Sequence, residues 1–255
     1  MNATSTQFTA LVLAGSRVDQ ALGTSTKAGI NLRGVPMLRR VVDALRGSSH
    51  VGRIVVCGPG HLSQWIGTDV VPTAGSPASS VAGFLETQSS WPILVTTADH
   101  PLLTREMIDY FCRETLKNMT DITVGMASRT TIARSYPKTR RTYFRFKDDH
   151  WCGCNLFGMN TPNVQNVVRF WQALENHRKR PMKVVRGFGL MNLLGVALGL
   201  WTVQEAFARG AARFGMTGRP IPMPWAEAAI DVDTLEDLVL VDSILAAQET
   251  LPAAD

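Results

Sequence analysis

Two kinds of apolar pattern alternate along this chain. Short, nearly unbroken runs such as Ala10-Leu11-Val12-Leu13, Arg53-Ile-Val-Val-Cys57 and Trp91-Pro92-Ile-Leu-Val-Thr-Thr97 are expected of strands covered on both faces. Between them apolar residues recur at helical spacing, as with Met37, Leu38, Val41, Val42 and Leu45 after Pro36, which suits the start of a helix. Strand, helix and strand at this spacing predict a βαβ unit and a parallel sheet. Val70-Val71-Pro72 reads as a short edge strand. Ser76 and Pro77 open a helix carrying Val81, Phe84 and Leu85, and Thr104 caps another.

Further strands are expected at Asp121–Ala127 and Trp151–Met159, with Gly153 and Asn155 marking close backbone approach in the second. In Tyr143–Lys147 charged residues alternate with Phe144 and Phe146, as in a strand whose phenylalanines are buried. Thr161-Pro162 opens a helix bearing Val164, Val167, Val168, Trp171 and Leu174, which Pro181 ends or kinks. Thr202 caps the next, through about Arg213. Ile221–Met223 and Ala228–Ile230 read as short strands, and Thr234 with Asp237 opens the last helix. We expect a single domain over residues 1–255 with a helical insertion around 162–213.

At 45% apolar and 18% charged residues the composition is that of a globular chain. Phe8–Leu13 is too short for the apolar core of a secretory leader. The four cysteines, Cys57, Cys112, Cys152 and Cys154, have neither metal-knuckle nor redox spacing. Reduced thiols and a cytoplasmic location are the expectation. A net charge of +5 suits anionic ligands. Phe188–Trp201 is apolar but too short to cross a bilayer as a helix. With Lys183 and Arg186 upstream it allows peripheral contact with an anionic membrane, although a core helix accounts for it too.

Chemistry concentrates in a few places. The first strand runs into Ala14-Gly15-Ser16-Arg17, and Lys27 follows. Such a loop offers backbone N–H groups to phosphates, with Arg17 and Lys27 as cations, yet it is neither of the standard phosphate-loop patterns. Asp99 follows the third strand, where α/β folds place ligand chemistry and where a carboxylate suits Mg²⁺. Asp231 and Asp233 precede the last helix; in a strand they would point to opposite faces, so one of them can share a site with Asp99. Seven cations and no acid lie between Arg129 and Lys147. Lys138, Arg140 and Arg141 are the candidate clamp for an anionic substrate, with a solvated strand face as the alternative. Neither a recognition helix nor a stacking platform for nucleic acid is visible.

Four stretches, in order, resemble the MobA-like nucleotidyltransferases: Leu13-Ala-Gly-Ser-Arg17 with Lys27 and Gly34-Val-Pro-Met37; Ser79-Ser80-Val81; Ala98-Asp99-His100-Pro101-Leu102; and Asp231-Val-Asp-Thr-Leu-Glu-Asp-Leu238. The resemblance implies a Rossmann-like three-layer α/β/α sandwich with a mixed, mainly parallel sheet. It implies a nucleoside triphosphate bound by the Leu13–Ser16 loop, Arg17 and Lys27, with Ser80 helping to read the base. Asp99 and Asp233, or alternatively Asp231, would hold Mg²⁺, and Asn155 would lie near the acceptor. Here Gly15 meets Ser16 and Arg17 directly, where the family loop carries two further residues.

The expected reaction is Mg²⁺-dependent transfer of a nucleotidyl group to a phosphorylated acceptor with release of pyrophosphate. The alternatives are a lipid-headgroup-activating transferase at the membrane surface and a non-catalytic nucleotide-binding protein.

Overall fold

The computed structural model describes residues 6–15, 26–175, 195–196 and 198–250. Its main sheet has eight strands: β1 (Phe8–Leu13), β4 (Val51–Cys57), β5 (Asp69–Val71), β6 (Ile93–Thr97), β7 (Ile122–Ser128), β8 (Phe144–Arg145), β9 (His150–Met159) and β10 (Gly218–Pro222). Their order is β10-β7-β9-β6-β1-β4-β5, with β8 beside β9. β1 pairs in parallel with both β4 and β6, β4 with β5, and β10 with β7. β9 alone splits the parallel order, running antiparallel to β6 and β7 and taking β8 as a third antiparallel neighbour. β2 (Asn31–Leu32) and β3 (Val35–Pro36) form a separate tight hairpin. Arg33 and Gly34 at its tip have φ of 52° and 83°, the double positive φ of a two-residue type I′ turn.

The side chains of β1 explain the layers. Ala10 and Val12 enter one core with α1 (Met37–Gly47), α4 (Arg105–Asn118) and α5 (Arg129–Ser135), while Leu11 enters a second with α3 (Pro77–Glu86) and α6 (Gln165–Glu175). A strand with both faces covered has no wet side, hence the unbroken apolar run. On α1 the five residues at helical spacing are all fully buried, each contributing about 1.5–3 kcal/mol relative to an exposed position. A third cluster seats α8 (Leu235–Thr250) on the hairpin through Leu32, Val232, Val241 and Ile244. The remaining helices are α2 (Ser63–Ile66) and α7 (Val203–Ala212). Helices therefore cover both faces of a mixed, mainly parallel sheet.

The caps fall where the side chains predict them. Ser76 Oγ accepts from Ser79 N, Thr104 Oγ1 from Met107 N, and Thr202 forms a reciprocal capping box with Glu205. Two local expectations are corrected. Phe144 and Phe146 do not share a buried face: β8 ends at Arg145, after which Phe146 N donates to Asp149 O and Lys147 N to Trp201 O. Phe146 is 9% exposed and Phe144 55%, because alternation holds only while the ladder lasts. The start of the basic run is a helix that no apolar stripe announces: Ser128 caps α5, which buries only Ile132. Ala228–Ile230 is no strand, since Ala226–Ala229 closes a 3₁₀ turn whose alanines pack under β7 and β9.

Among the described residues no helix is long and apolar enough to cross a membrane. Most of Phe188–Trp201, and with it Lys183 and Arg186, lies outside the described residues.

Candidate active site

The carboxyl ends of β1, β4 and β6 meet at one edge of the sheet. Ala14 N donates to Cys57 O at 2.8 Å, and Ala98 N to Leu13 O at 3.0 Å. The end of β1 is thereby tied both to the end of β4 and to the residue that follows β6. Gly58 makes the close approach there: a Cβ on it would lie 2.9 Å from Ala14 O and 2.8 Å from Leu62 Cδ1. Gly15 is exposed, and among the described residues a Cβ on it would meet nothing. Ser16 and Arg17 lie outside the described residues.

Asp99 and the C-terminal carboxylates converge on this edge. Val232 N donates to Asp99 O at 3.0 Å and fastens the Asp231–Asp233 segment beside the end of β6. That segment is an irregular connection, so its two aspartates are not placed by strand alternation. Lys27, at the start of a 3₁₀ turn (Lys27–Gly29), reaches between Asp99 and Asp233. Its Nζ lies 2.8 Å from Asp99 Oδ2 and 2.6 Å from Asp233 Oδ1. Burial alone would lower the Lys27 pKa, but Asp99 and Asp233 more than offset it and raise the value above the ordinary one. Burial likewise works against an ionised Asp99, and Lys27 overcomes it to hold that carboxyl below the usual range.

Asp231 faces a different pair of partners. Its Oδ1 accepts from Arg141 Nη1 at 3.0 Å and its Oδ2 from Asn155 Nδ2 at 3.2 Å. Burial and then the neighbouring charges of Asp233 and Asp99 push its pKa up, against the pull of Arg141. Asn155 reaches it through a local irregularity in β9. Val124 pairs with Phe157 and Met126 with Gly153, so three residues of β9 bulge opposite Gly125. At their centre Asn155 adopts φ of 49°, a left-handed conformation that asparagine tolerates better than most residues. A bulge of this kind re-aims a side chain beside a site.

Ser80 sits in the first half of α3 with its Oγ accepting from Ala74 N at 3.0 Å. Lys138 and Arg140 are exposed, whereas the Arg141 side chain is 6% exposed and bound to Asp231 and Asp237. These three cations thus differ in setting: Arg141 is enclosed and paired with carboxylates, while Lys138 and Arg140 stand in solvent. The tie between the basic run and the C-terminal motif is what sequence reasoning missed. A signal for it existed: Arg129–Lys147 has no acid, while Asp231, Asp233, Glu236 and Asp237 stand in a stretch with no cation.

Buried polar atoms without partners gather here. Thr26 Oγ1, Thr96 Oγ1, Asp99 Oδ1, both His100 ring nitrogens and Arg141 Nε are all of this kind. Such atoms are costly unless an ion, water or ligand meets them. Among the described residues no group of three or more His, Cys, Asp or Glu side chains is arranged to hold a metal by itself. Two carboxylates with a free oxygen on Asp99 suit Mg²⁺, which keeps waters and takes phosphate oxygens for its remaining ligands.

A mainly parallel sheet with carboxylates, a cation and an exposed glycine at its carboxyl edge defines a ligand-handling α/β enzyme of the Rossmann-like type. Residues 10–150, more than half of the chain, match the MobA-like NTP transferase domain, and the protein belongs to that family of nucleotidyltransferase enzymes. Among solved structures, a hypothetical transferase from Thermus thermophilus shares 27% identity at a TM-score of 0.77, over 91% of this chain and 99% of its own. CMP:2-keto-3-deoxy-manno-octonic acid synthetase, solved with CTP, has a TM-score of 0.62 at 11% identity, covering 95% of this chain and 100% of its own. The 4-diphosphocytidyl-2C-methyl-D-erythritol synthase of Anaerococcus prevotii has 0.58 at 9%, covering 95% and 99%. The last two share the fold. No curated protein matches the chain.

Proposed function

We propose that the protein is a Mg²⁺-dependent nucleotidyltransferase that joins a nucleoside triphosphate to a phosphorylated acceptor and releases pyrophosphate. The observation that carries this reading is Lys27 held between Asp99 and Asp233 beside the Ala14-Gly15 backbone. The acceptor phosphate, a dianion near neutral pH, forms a new P–O bond to the α-phosphorus while the α–β bridging bond breaks toward pyrophosphate. No proton has to be removed from the acceptor, which is consistent with the lack of a nucleophile–base pair among the described residues of the site. The work left to the chain is to align two anions and offset their repulsion.

Ala14 and Gly15, with Ser16 and Arg17 beyond them, offer the triphosphate backbone amides and charge, and Lys27 supplies an ammonium within reach of both carboxylates. Asp99 and Asp233 are the residues to hold Mg²⁺, which when bound offsets negative charge on the phosphate oxygens. Asn155 and Asp231 lie on the neighbouring side, where the acceptor is expected. Ser80 is the expected contact to the base, through the loop that its Oγ holds at Ala74.

The test is pyrophosphate release by the purified protein, with each of the four nucleoside triphosphates and a panel of phosphorylated acceptors. Release that needs one triphosphate, an acceptor and Mg²⁺, and that EDTA abolishes, is expected. Tight nucleotide binding without release under every combination would instead make it a nucleotide-binding regulator. A second reading, headgroup activation at a membrane, draws on Phe144, Leu198 and Leu200, which are 55%, 62% and 54% exposed near Arg145. Co-sedimentation with anionic but not neutral vesicles would favour it.

A further inference from the structure

Arg141 is the most deeply enclosed cation of the basic run, although Arg140 and Thr142 on either side of it are exposed. Its guanidinium is committed in three directions. Nη1 donates to Asp231 Oδ1 at 3.0 Å and to Asp231 O at 3.2 Å, and Nη2 donates to Asp237 Oδ1 at 2.7 Å. The other oxygen of Asp237 extends the chain of contacts. Asp237 Oδ2 accepts from Asp233 N at 3.1 Å, Thr234 N at 2.9 Å and Thr234 Oγ1 at 2.8 Å. One side chain thus fixes the carboxylate and carbonyl of Asp231 directly and, through Asp237, the backbone of Asp233.

Asp231 and Asp233 repel one another and Asp99, and they sit on a connection with no strand ladder to hold it. Something outside the segment must set their directions. Val232 N on Asp99 O pins the middle of the segment, and Asn155 takes the remaining oxygen of Asp231. Lys27 holds Asp233 Oδ1. Arg141 holds Asp231 and, through Asp237, the Asp233 backbone, and its planar fork matters: three acceptors on two residues are met by one rigid group. A lysine would carry the same charge but meet them as a single point.

We propose that Arg141 is a positioning residue that sets the direction of Asp231 by direct contact and the backbone of Asp233 through Asp237, and is not a contact for the acceptor phosphate. The inference rests on the nucleotidyltransferase reading above for what those carboxylates do. Groups that orient metal-ligating carboxylates typically change metal affinity or activity by about 10–100-fold when altered.

The experiment compares wild-type protein with Arg141→Lys and Asp237→Asn. It uses Mn²⁺ binding followed by electron paramagnetic resonance, with and without triphosphate, and then steady-state kinetics. Thermal melts establish that each variant is folded; Arg141→Ala is added only if it folds. The expected result is at least about ten-fold weaker Mn²⁺ binding and a fall in kcat of similar size in both variants, with the acceptor KM within about two-fold of wild type. A raised acceptor KM with kcat and Mn²⁺ affinity unchanged would make Arg141 a substrate clamp and overturn the proposal. So would wild-type behaviour of Arg141→Lys. Absence of Mn²⁺ binding and pyrophosphate release in the wild type would instead remove the underlying transferase reading, a failure distinct from the other two.

Discussion

Replacing Lys27 with methionine keeps much of the stem and removes the ammonium from between Asp99 and Asp233. Breaking a fully buried ion pair costs about 3–5 kcal/mol, and exposed pairs are worth about 0.2–1 kcal/mol. Lys27 and Asp99 side chains are 21% and 23% exposed and Asp233 is 66% exposed. The Asp99 contact thus falls between these limits and the Asp233 contact near the lower one. A loss of about 2 kcal/mol follows, or about 4–8 °C in Tm for a chain of this size. The raised Lys27 pKa makes this contribution complete below 10.5, and it is lost as pH climbs through the folded value. The lowered Asp99 pKa makes its share present above 3.8 and lost as pH falls through its folded value. The difference between wild type and variant should therefore be flat from about pH 5 to pH 9. Thermal melts in low salt measure it, and Mg²⁺ should raise the Tm of the variant more than that of wild type, because the freed carboxylates then face no competing ammonium. Equal melting temperatures for the two proteins in metal-free buffer would refute the reasoning.

His100 gives a second, acid-side prediction. It is 1% exposed, and burial, opposed by Asp99 and reinforced by Arg141, lowers its pKa to about 4 from 6.5. The unfolded chain then binds this proton more readily, so stability should fall by about 2 kcal/mol between pH 6.5 and pH 5. Urea midpoints across that range should show the slope in wild type and lose it in His100→Gln; parallel slopes would dismiss it. At Asn155 the left-handed backbone makes alanine cost about 1 kcal/mol more than glycine. Both substitutions remove the donor to Asp231 and should cut activity alike, whereas activity retained in Asn155→Gly would mean the side chain is dispensable.

Much of the fold was legible because its central strands are covered on both faces, which writes unbroken apolar runs into β1, β4 and β6. Caps at Ser76, Thr104, Thr202 and Thr234 were legible for a local reason, since the partner N–H lies within three residues. What could not be read depends on distance or on brevity. The insertion of β9 between β6 and β7 is a matter of strand order, on which a single strand's pattern is silent. α5 buries one residue, Ile132, so no helical stripe exists to be seen. Phe144 and Phe146 alternate on paper, but the ladder lasts two residues. At the site, Asp99, Asp233 and Lys27 could be singled out by residue type and position. Arg141 could not be told from its neighbours, because its partners stand 90 and 96 positions away.

The Lys27–Asp233 contact joins positions 206 apart. As the polypeptide emerges from the ribosome, the glycine loop, Lys27, Asp99 and every strand up to β9 come out first, and the two acidic groups of the closing segment arrive last. The strands up to β9 are thus synthesised while only Asp99 of the three carboxylates at the proposed cation site is present. On the transferase reading proposed above, competence toward nucleotides would wait until synthesis has passed Asp237. Proteolytic loss of the tail beyond β10 would return the mature molecule to that unfinished condition, with β1, β4 and β6 still paired.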